Sequence, residues 1–155
     1  MKVILADDSV LMLNRLQEML SNYPQVEILA SLKNGNDILE TIKKAKPDLA
    51  IIDLRMPGLS GLEVLKAIRK EDRNIGIIIL TFFATDNYRL ACMLSGADYF
   101  FSKVNDFDKV SMVVESLLQE DVLNHKLRCK EMTAIRAGFH QQSNHIDQQQ
   151  RTKSQ

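Results

Sequence analysis

Cysteine is scarce in this chain. Only Cys92 and Cys129 occur among 155 residues, and neither belongs to a CxxC pair. A disulfide scaffold or a zinc ribbon is thereby excluded. Long apolar runs are also missing: none approaches the roughly 18 residues needed to span a bilayer. The chain opens without a basic region followed by an apolar signal core, so the expected location is the cytoplasm, with no membrane partner. Histidine is absent before His125; the three histidines, His125, His140 and His145, all fall in the last part of the chain. No internal repeat is apparent. Net charge is lacking too, but the zero conceals an asymmetry. Residues 122–155 hold six Lys or Arg against Glu131 and Asp147, a surplus of +4 that residues 1–121 balance with −4. So small a basic surplus reads as a solvated tail rather than a nucleic-acid surface.

What is present is a regular alternation over the first 121 residues. Short apolar runs, rich in Val, Ile or Leu at 2–6, 26–30, 48–53 and 76–81 and aromatic at 99–102, read as strands buried on both faces. Amphipathic stretches separate them. Leu13, Leu16, Met19 and Leu20 mark the first; Ile38, Leu39 and Ile42 the second; Val64, Leu65 and Ile68 the third; Leu90, Ala91 and Leu94 the fourth; and Phe107, Val110, Val113, Val114, Leu117 and Leu118 the fifth. Five βα units in succession predict a doubly wound α/β sandwich with right-handed crossovers. Residues 122–155 form an extension. Val122, Leu123, Leu127, Met132, Ile135 and Phe139 keep a loose helical spacing to about 139, and the Gln- and Ser-rich remainder reads as disordered.

Polar residues end the apolar runs. Lys2-Val3-Ile4-Leu5-Ala6 ends in Asp7-Asp8, Leu49-Ala50-Ile51-Ile52 in Asp53, Ile77-Ile78-Ile79-Leu80 in Thr81, and Tyr99-Phe100-Phe101-Ser102 in Lys103. In an open parallel sheet the carboxyl ends of the strands are where ligands bind. A buried carboxylate is costly unless something compensates it, and clustered carboxylates raise one another's pKa unless a cation intervenes. Adjacent acids facing another acid suit a hard divalent cation such as Mg²⁺, which takes oxygen ligands. Lys103 could supply further counter-charge, and Thr81 could bond a phosphate oxygen. Asp53 would be a nucleophile forming an aspartyl phosphate, with metal and lysine stabilising charge in the transferring group.

This set resembles the receiver domain of bacterial two-component response regulators, over about residues 1–121. The residues that carry the resemblance are Asp7-Asp8, Asp53 followed by Met56-Pro57-Gly58, Thr81, and Gly96-Ala97-Asp98 leading to Lys103. The resemblance implies a five-stranded sheet of flavodoxin-like order 2-1-3-4-5, with Asp53 as phosphoacceptor. It implies Mg²⁺ held by Asp8, Asp53 and the Arg55 carbonyl, with Asp7 acting through water. It implies a two-part switch in which Thr81 moves toward the phosphate and Phe100 turns inward. Tyr is frequent at that second position; Phe100 lacks its hydroxyl, and Tyr99 should face the other side of the strand. Two further positions depart from the family pattern. Bulky Phe82-Phe83 follows the threonine where a small residue is usual, and one of the two rings is expected to pack inward. Val104 follows Lys103 where the family has a proline in a cis peptide.

The implied partners are a sensor histidine kinase or phosphotransfer protein as donor and a downstream protein reached through the fourth helix, fifth strand and fifth helix. The segment after 121 is shorter than the roughly 50 residues of an output domain with its own core, so a stand-alone, chemotaxis-regulator-like receiver is expected, not an enzyme in its own right. The alternative is a phosphorylation-independent interaction module with a vestigial acidic site, its helical tail serving docking or a homodimer. A phosphohydrolase using Asp53 lacks the usual acid two residues on, where Arg55 stands.

Overall fold

The computed structural model describes residues 1–128 and residue 130. Five strands, β1 (Lys2–Ala6), β2 (Glu27–Leu32), β3 (Leu49–Ile52), β4 (Gly76–Thr81) and β5 (Tyr99–Ser102), alternate with helices α1 (Val10–Leu20), α2 (Gly35–Ala45), α3 (Gly61–Glu71) and α4 (Asp86–Leu94). A fifth helix, α5, occupies 109–128. The strands form one sheet in the order β2-β1-β3-β4-β5 with every pairing parallel, the expected topology. The chain divides into two compact units, Met1–Val114 and Glu115–Gln155. The readings for residues 131–155, a helix continuing to 139 and then disorder, lie outside the described residues, as does Cys129.

Both faces of the sheet are covered, as parallel sheets require. Ile4, Ala6, Ala50, Ile52, Ile77, Ile79 and Phe100 turn to one side and join Ile38, Ile42, Val64, Leu65, Ile68 and Cys92 of α2, α3 and α4 in a single core. Val3, Leu5, Leu49, Ile51, Ile78 and Leu80 fill the opposite side, where the buried residues of α1 are Met12, Leu13, Leu16 and Leu20. Each Ile or Leu so buried stabilises by about 1.5–3 kcal/mol relative to exposure. That reserve holds the register tightly enough for charged residues to sit at the strand ends.

Local signals start the helices. Ser9, Asn34, Ser60 and Thr85 are N-caps whose side chains accept from the first-turn backbone N–H groups. At α3 a reciprocal bond from the Ser60 N–H to Glu63 completes a capping box. The fourth helix corrects the expectation from spacing. Leu90 and Leu94 do not face the core: they are 61% and 79% exposed, and α4 buries Cys92 instead. Phe107 likewise precedes α5 rather than lying in it, and the Arg15 guanidinium lies 4.2 Å from its ring centroid.

Gly61 brings α3 directly behind the β3 strand end. A Cβ there would lie 2.1 Å from the Asp53 carbonyl oxygen and 2.9 Å from Leu54 Cα. Gly61→Ala must therefore displace the backbone that carries Asp53. We expect it to lower stability by about 1–3 kcal/mol, read as a lower urea midpoint at unchanged m-value; an unchanged midpoint would contradict this packing.

Candidate functional site

The strand register assembles the site. Ala6 pairs with Ile52 across β1 and β3, so the next residues, Asp7 and Asp53, emerge side by side. The Asp53 N–H donates to the Ala6 carbonyl at 2.9 Å. On the other side, Thr81 pairs with Ser102, and the Lys103 N–H donates to the Thr81 carbonyl at 2.9 Å. Lys103 then reaches back across the sheet. Its Nζ lies 2.6 Å from Asp7 Oδ2 and 3.0 Å from Asp53 Oδ2, and all three side chains are buried. Asp7 Oδ1 accepts from the Ser9 N–H at 2.9 Å. The same acid thereby steadies the start of α1.

Asp8 is exposed beside this pair. Asp7, Asp8 and Asp53 each present a carboxylate oxygen within 4.8 Å of the others. One ammonium against three carboxylates leaves the pocket with excess negative charge. Burial pushes the Asp7 carboxyl above its ordinary value; the hydrogen bond from Lys103 and the Ser9 N–H oppose the shift, and the charge of Asp53 adds to it. Asp53 Oδ1 is buried with no hydrogen-bond partner. Such an orphaned acceptor is uncommon, and an oxygen left bare among three acids fits a hard cation and an incoming electrophile.

The loops above the pocket carry two cation–aromatic contacts. The Phe82 ring sits 4.9 Å from Lys103 Nζ, and the Arg55 guanidinium lies 3.6 Å from the centre of Phe83. Neither ring packs inward, contrary to expectation: Phe82 is 59% and Phe83 38% exposed. Cations cover their faces in place of a core, an attraction worth about 0.5–1 kcal/mol at exposed sites. Thr81 is buried, and its Oγ1 accepts from the Phe83 N–H at 3.1 Å. Its own hydroxyl proton stays available for another acceptor.

The remaining predicted residues are placed as follows. Phe100 is buried two residue pairs below Thr81–Ser102, opposite Ile79, in the core rather than in the acidic pocket. Tyr99 points the other way and stacks on Phe101, with ring centroids 5.7 Å apart. No cis peptide occurs among the described residues, so the chain takes a different path after Lys103. The Val104 and Asn105 N–H groups donate to Ser102 Oγ, and the Ser102 N–H donates to Asp106. Gly96-Ala97-Asp98 has a structural role. Asp98 accepts from the Ile77 N–H at 2.8 Å and from Arg69, which also donates to the Gly96 and Ile75 carbonyls. Arg69 and Arg89 escaped the sequence reading because a long cation bonding distant carbonyls leaves no periodic signal.

Comparison with known proteins agrees with this geometry. The sequence matches the family model for the response regulator receiver domain over residues 3–115. It is 32% identical over 120 residues to a protein-glutamate methylesterase/protein-glutamine glutaminase of Clostridium acetobutylicum, covering 76% of this chain and 35% of that protein. It is 32% identical over 117 residues to the DNA-binding transcriptional activator EvgA of Escherichia coli, covering 75% and 56%. Thus the chain spans about a third to just over half the length of these relatives. Among solved structures, a LuxR-family DNA-binding response regulator from Staphylococcus aureus superposes with a TM-score of 0.69 at 30% identity, covering 74% of this chain and 96% of that one. CheY in a CheX–CheY–BeF3–Mg complex from Borrelia burgdorferi shares the fold at 24% identity, with a TM-score of 0.69 and coverage of 76% and 88%.

Lys103 is the pocket's internal counter-charge. Lys103→Met leaves two buried carboxylates uncompensated and should cost about 3–5 kcal/mol at pH 7 in EDTA. The sign with pH follows from Asp7. A carboxyl with a raised folded-state pKa favours folding at low pH, and that contribution is lost as pH rises through the raised value. The penalty should therefore shrink as pH falls toward 4, the region of the ordinary carboxyl value of 3.8. Urea titrations at both pH values check this; a pH-independent penalty would mean that charge is not its source. Asp8→Ala should slightly raise the metal-free melting temperature while weakening Mg²⁺ binding, and a lower melting temperature would count against carboxylate repulsion.

Proposed function

Because the chain belongs to the response regulator receiver family, we propose that it is a phosphorylation-controlled signalling receiver whose phosphoacceptor is Asp53. The observation that carries this reading is the buried, unpartnered Asp53 Oδ1 beside two further acids and a buried ammonium. The donor is a phosphohistidine on a sensor histidine kinase or phosphotransfer protein. An Asp53 carboxylate oxygen forms the new O–P bond as the P–N bond breaks, and the leaving imidazole keeps the electron pair. Lys103, already 3.0 Å from Asp53, pairs with a phosphoryl oxygen. The Thr81 hydroxyl donates to another. Asp8, Asp53 and the Arg55 carbonyl would hold Mg²⁺, with Asp7 acting through water. When bound, Mg²⁺ supplies charge neutralisation for the carboxylates and the phosphoryl group.

Phosphorylation is read out as a shift between two pre-existing arrangements, with Thr81 and Phe100 as the moving parts. Output passes by protein contacts on the face of α4, β5 and the start of α5. Support comes from the large apolar side chains exposed there: Leu90, Leu94, Tyr99, Val104 and Met112. Singly exposed apolar residues are ordinary, so this support is compositional: several of them fall on these three elements. The domain's chemistry is confined to gaining and losing its own phosphoryl group, so we do not assign it a turnover activity on another substrate. No described helix is long and apolar enough to cross a membrane, which is compatible with a cytoplasmic site of action. Residues from 122 onward are assigned to an extension of the receiver.

Intact mass after acetyl phosphate and Mg²⁺ tests the acceptor. We expect one phosphate adduct on the wild type that is lost in EDTA and absent from Asp53→Asn. An adduct persisting in that variant would refute the assignment. Failure of acetyl phosphate and beryllofluoride on the wild type would favour a phosphorylation-independent interaction module.

A further inference from the structure

Phe100 is only 3% exposed. Its ring belongs to the core with Ile79, Cys92 and Ala97. Phenylalanine has no hydroxyl with which to fix this position by a hydrogen bond. A different group does so from α4. The Arg89 Nη1 donates to the Phe100 carbonyl at 2.9 Å, and the same guanidinium lies 4.8 Å from the centre of the Phe100 ring. One side chain therefore grips both the backbone and the aromatic face of a single residue. A planar guanidinium is suited to this double contact, whereas a lysine ammonium is a point charge without a stacking face.

Arg89 also ties α4 to β5, which lies at the edge of the sheet. α4 offers the core little else: Cys92 is its one buried residue, and Tyr88, Leu90, Met93 and Leu94 are exposed. The clasp adds a second tie between this helix and the sheet, beside buried Cys92. The β4–α4 loop that leads into it begins at Thr81, whose Oγ1 takes the Phe83 N–H.

We propose that Arg89 is a positioning residue that holds Phe100 inward and α4 against β5 before any phosphoryl group arrives, so that this chain is biased toward the arrangement that binds phosphate. This rests on the receiver reading above. Linkage fixes the sign: if the inward position and the phosphoryl group favour each other, a residue that favours the first raises affinity for the second, by at most the factor by which it shifts the inward equilibrium. The clasp takes over a stabilising role that a hydroxyl at position 100 could otherwise fill.

The test uses the full chain as wild type, Arg89→Met and Arg89→Lys. Met keeps the apolar stem and loses charge and donors; Lys keeps the charge and loses the fork. Two quantities are measured: the apparent dissociation constant for beryllofluoride with Mg²⁺, and the aromatic ¹³C shifts and solvent accessibility of Phe100 without it. We expect Arg89→Met to weaken beryllofluoride binding by about three- to thirtyfold, a fraction of what one cation–aromatic contact and one charge-assisted hydrogen bond are worth together. The Phe100 ring should become more accessible in the same variant, and Arg89→Lys should fall between the two proteins. An unchanged Phe100 ring in Arg89→Met would overturn the clasp. A loosened ring with unchanged beryllofluoride affinity would overturn its coupling to the phosphoryl site. If the wild type itself binds no beryllofluoride, the receiver reading fails and this inference with it.

Discussion

The Lys103 ammonium is the point at which the sheet and the chemistry meet. It is 1% exposed and lies within 3.0 Å of carboxylates from two other strands. Burying an ion costs several kcal/mol unless its partners are well placed. Those partners are placed by register: Asp7 and Asp53 each follow the last paired residue of β1 and β3, and Lys103 follows the last residue of β5. A slip of one residue would put Ala6, Ile52 or Ser102 where Asp7, Asp53 or Lys103 now stands and would flip that strand's side chains to the other face. Parallel strands with apolar side chains on both faces are therefore a condition for the site. The compensation is also incomplete, since one ammonium faces three acids. The pocket keeps a demand for positive charge that its own residues do not meet.

The loops around that pocket show how the chain handles bulk. Phe82 and Phe83 follow Thr81 without entering the core, each with a cation against its ring. Arg55 thereby joins the loop after β3 to the loop after β4 across the mouth of the site. Phe83 contributes twice, through its ring to Arg55 and through its N–H to Thr81. A movement of the Thr81 hydroxyl toward a phosphoryl oxygen has to be accommodated by that contact. In α4, Arg89 treats Phe100 as Arg55 treats Phe83, with a backbone hydrogen bond in addition. Arginine–aromatic pairs take the place of small or hydroxyl-bearing residues at both positions.

Much of this was legible in the sequence. The five strands announce themselves as short apolar runs, aliphatic in the first four and aromatic in β5, and the polar termini of β1, β3, β4 and β5 mark those strand ends to within a residue or two. The acids, Thr81 and Lys103 could be recognised because they occur together in order. What periodicity could not decide was which partner a stripe meets. Leu90 and Leu94 are one helical turn apart, as a core-facing pair would be, yet they face away while Cys92 is buried. Two adjacent phenylalanines after Thr81 read as one ring turned inward, but the sequence carries no information about Lys103 and Arg55 approaching from elsewhere. The same limit hid Arg89: its contact with Phe100 spans eleven residues and two elements. After Lys103, Val104 marked a departure from the family pattern without indicating the alternative, which is a turn pinned by Ser102 and Asp106.

The central claim is that Asp53, compensated by Lys103 and short of positive charge, is built to accept a phosphoryl group. Fluorine NMR of the protein with beryllofluoride tests it most directly. The account predicts resonances of a bound trifluoroberyllate in the wild type that require Mg²⁺ and vanish in Asp53→Asn. Bound resonances that survive without Mg²⁺, or in the variant, would contradict it.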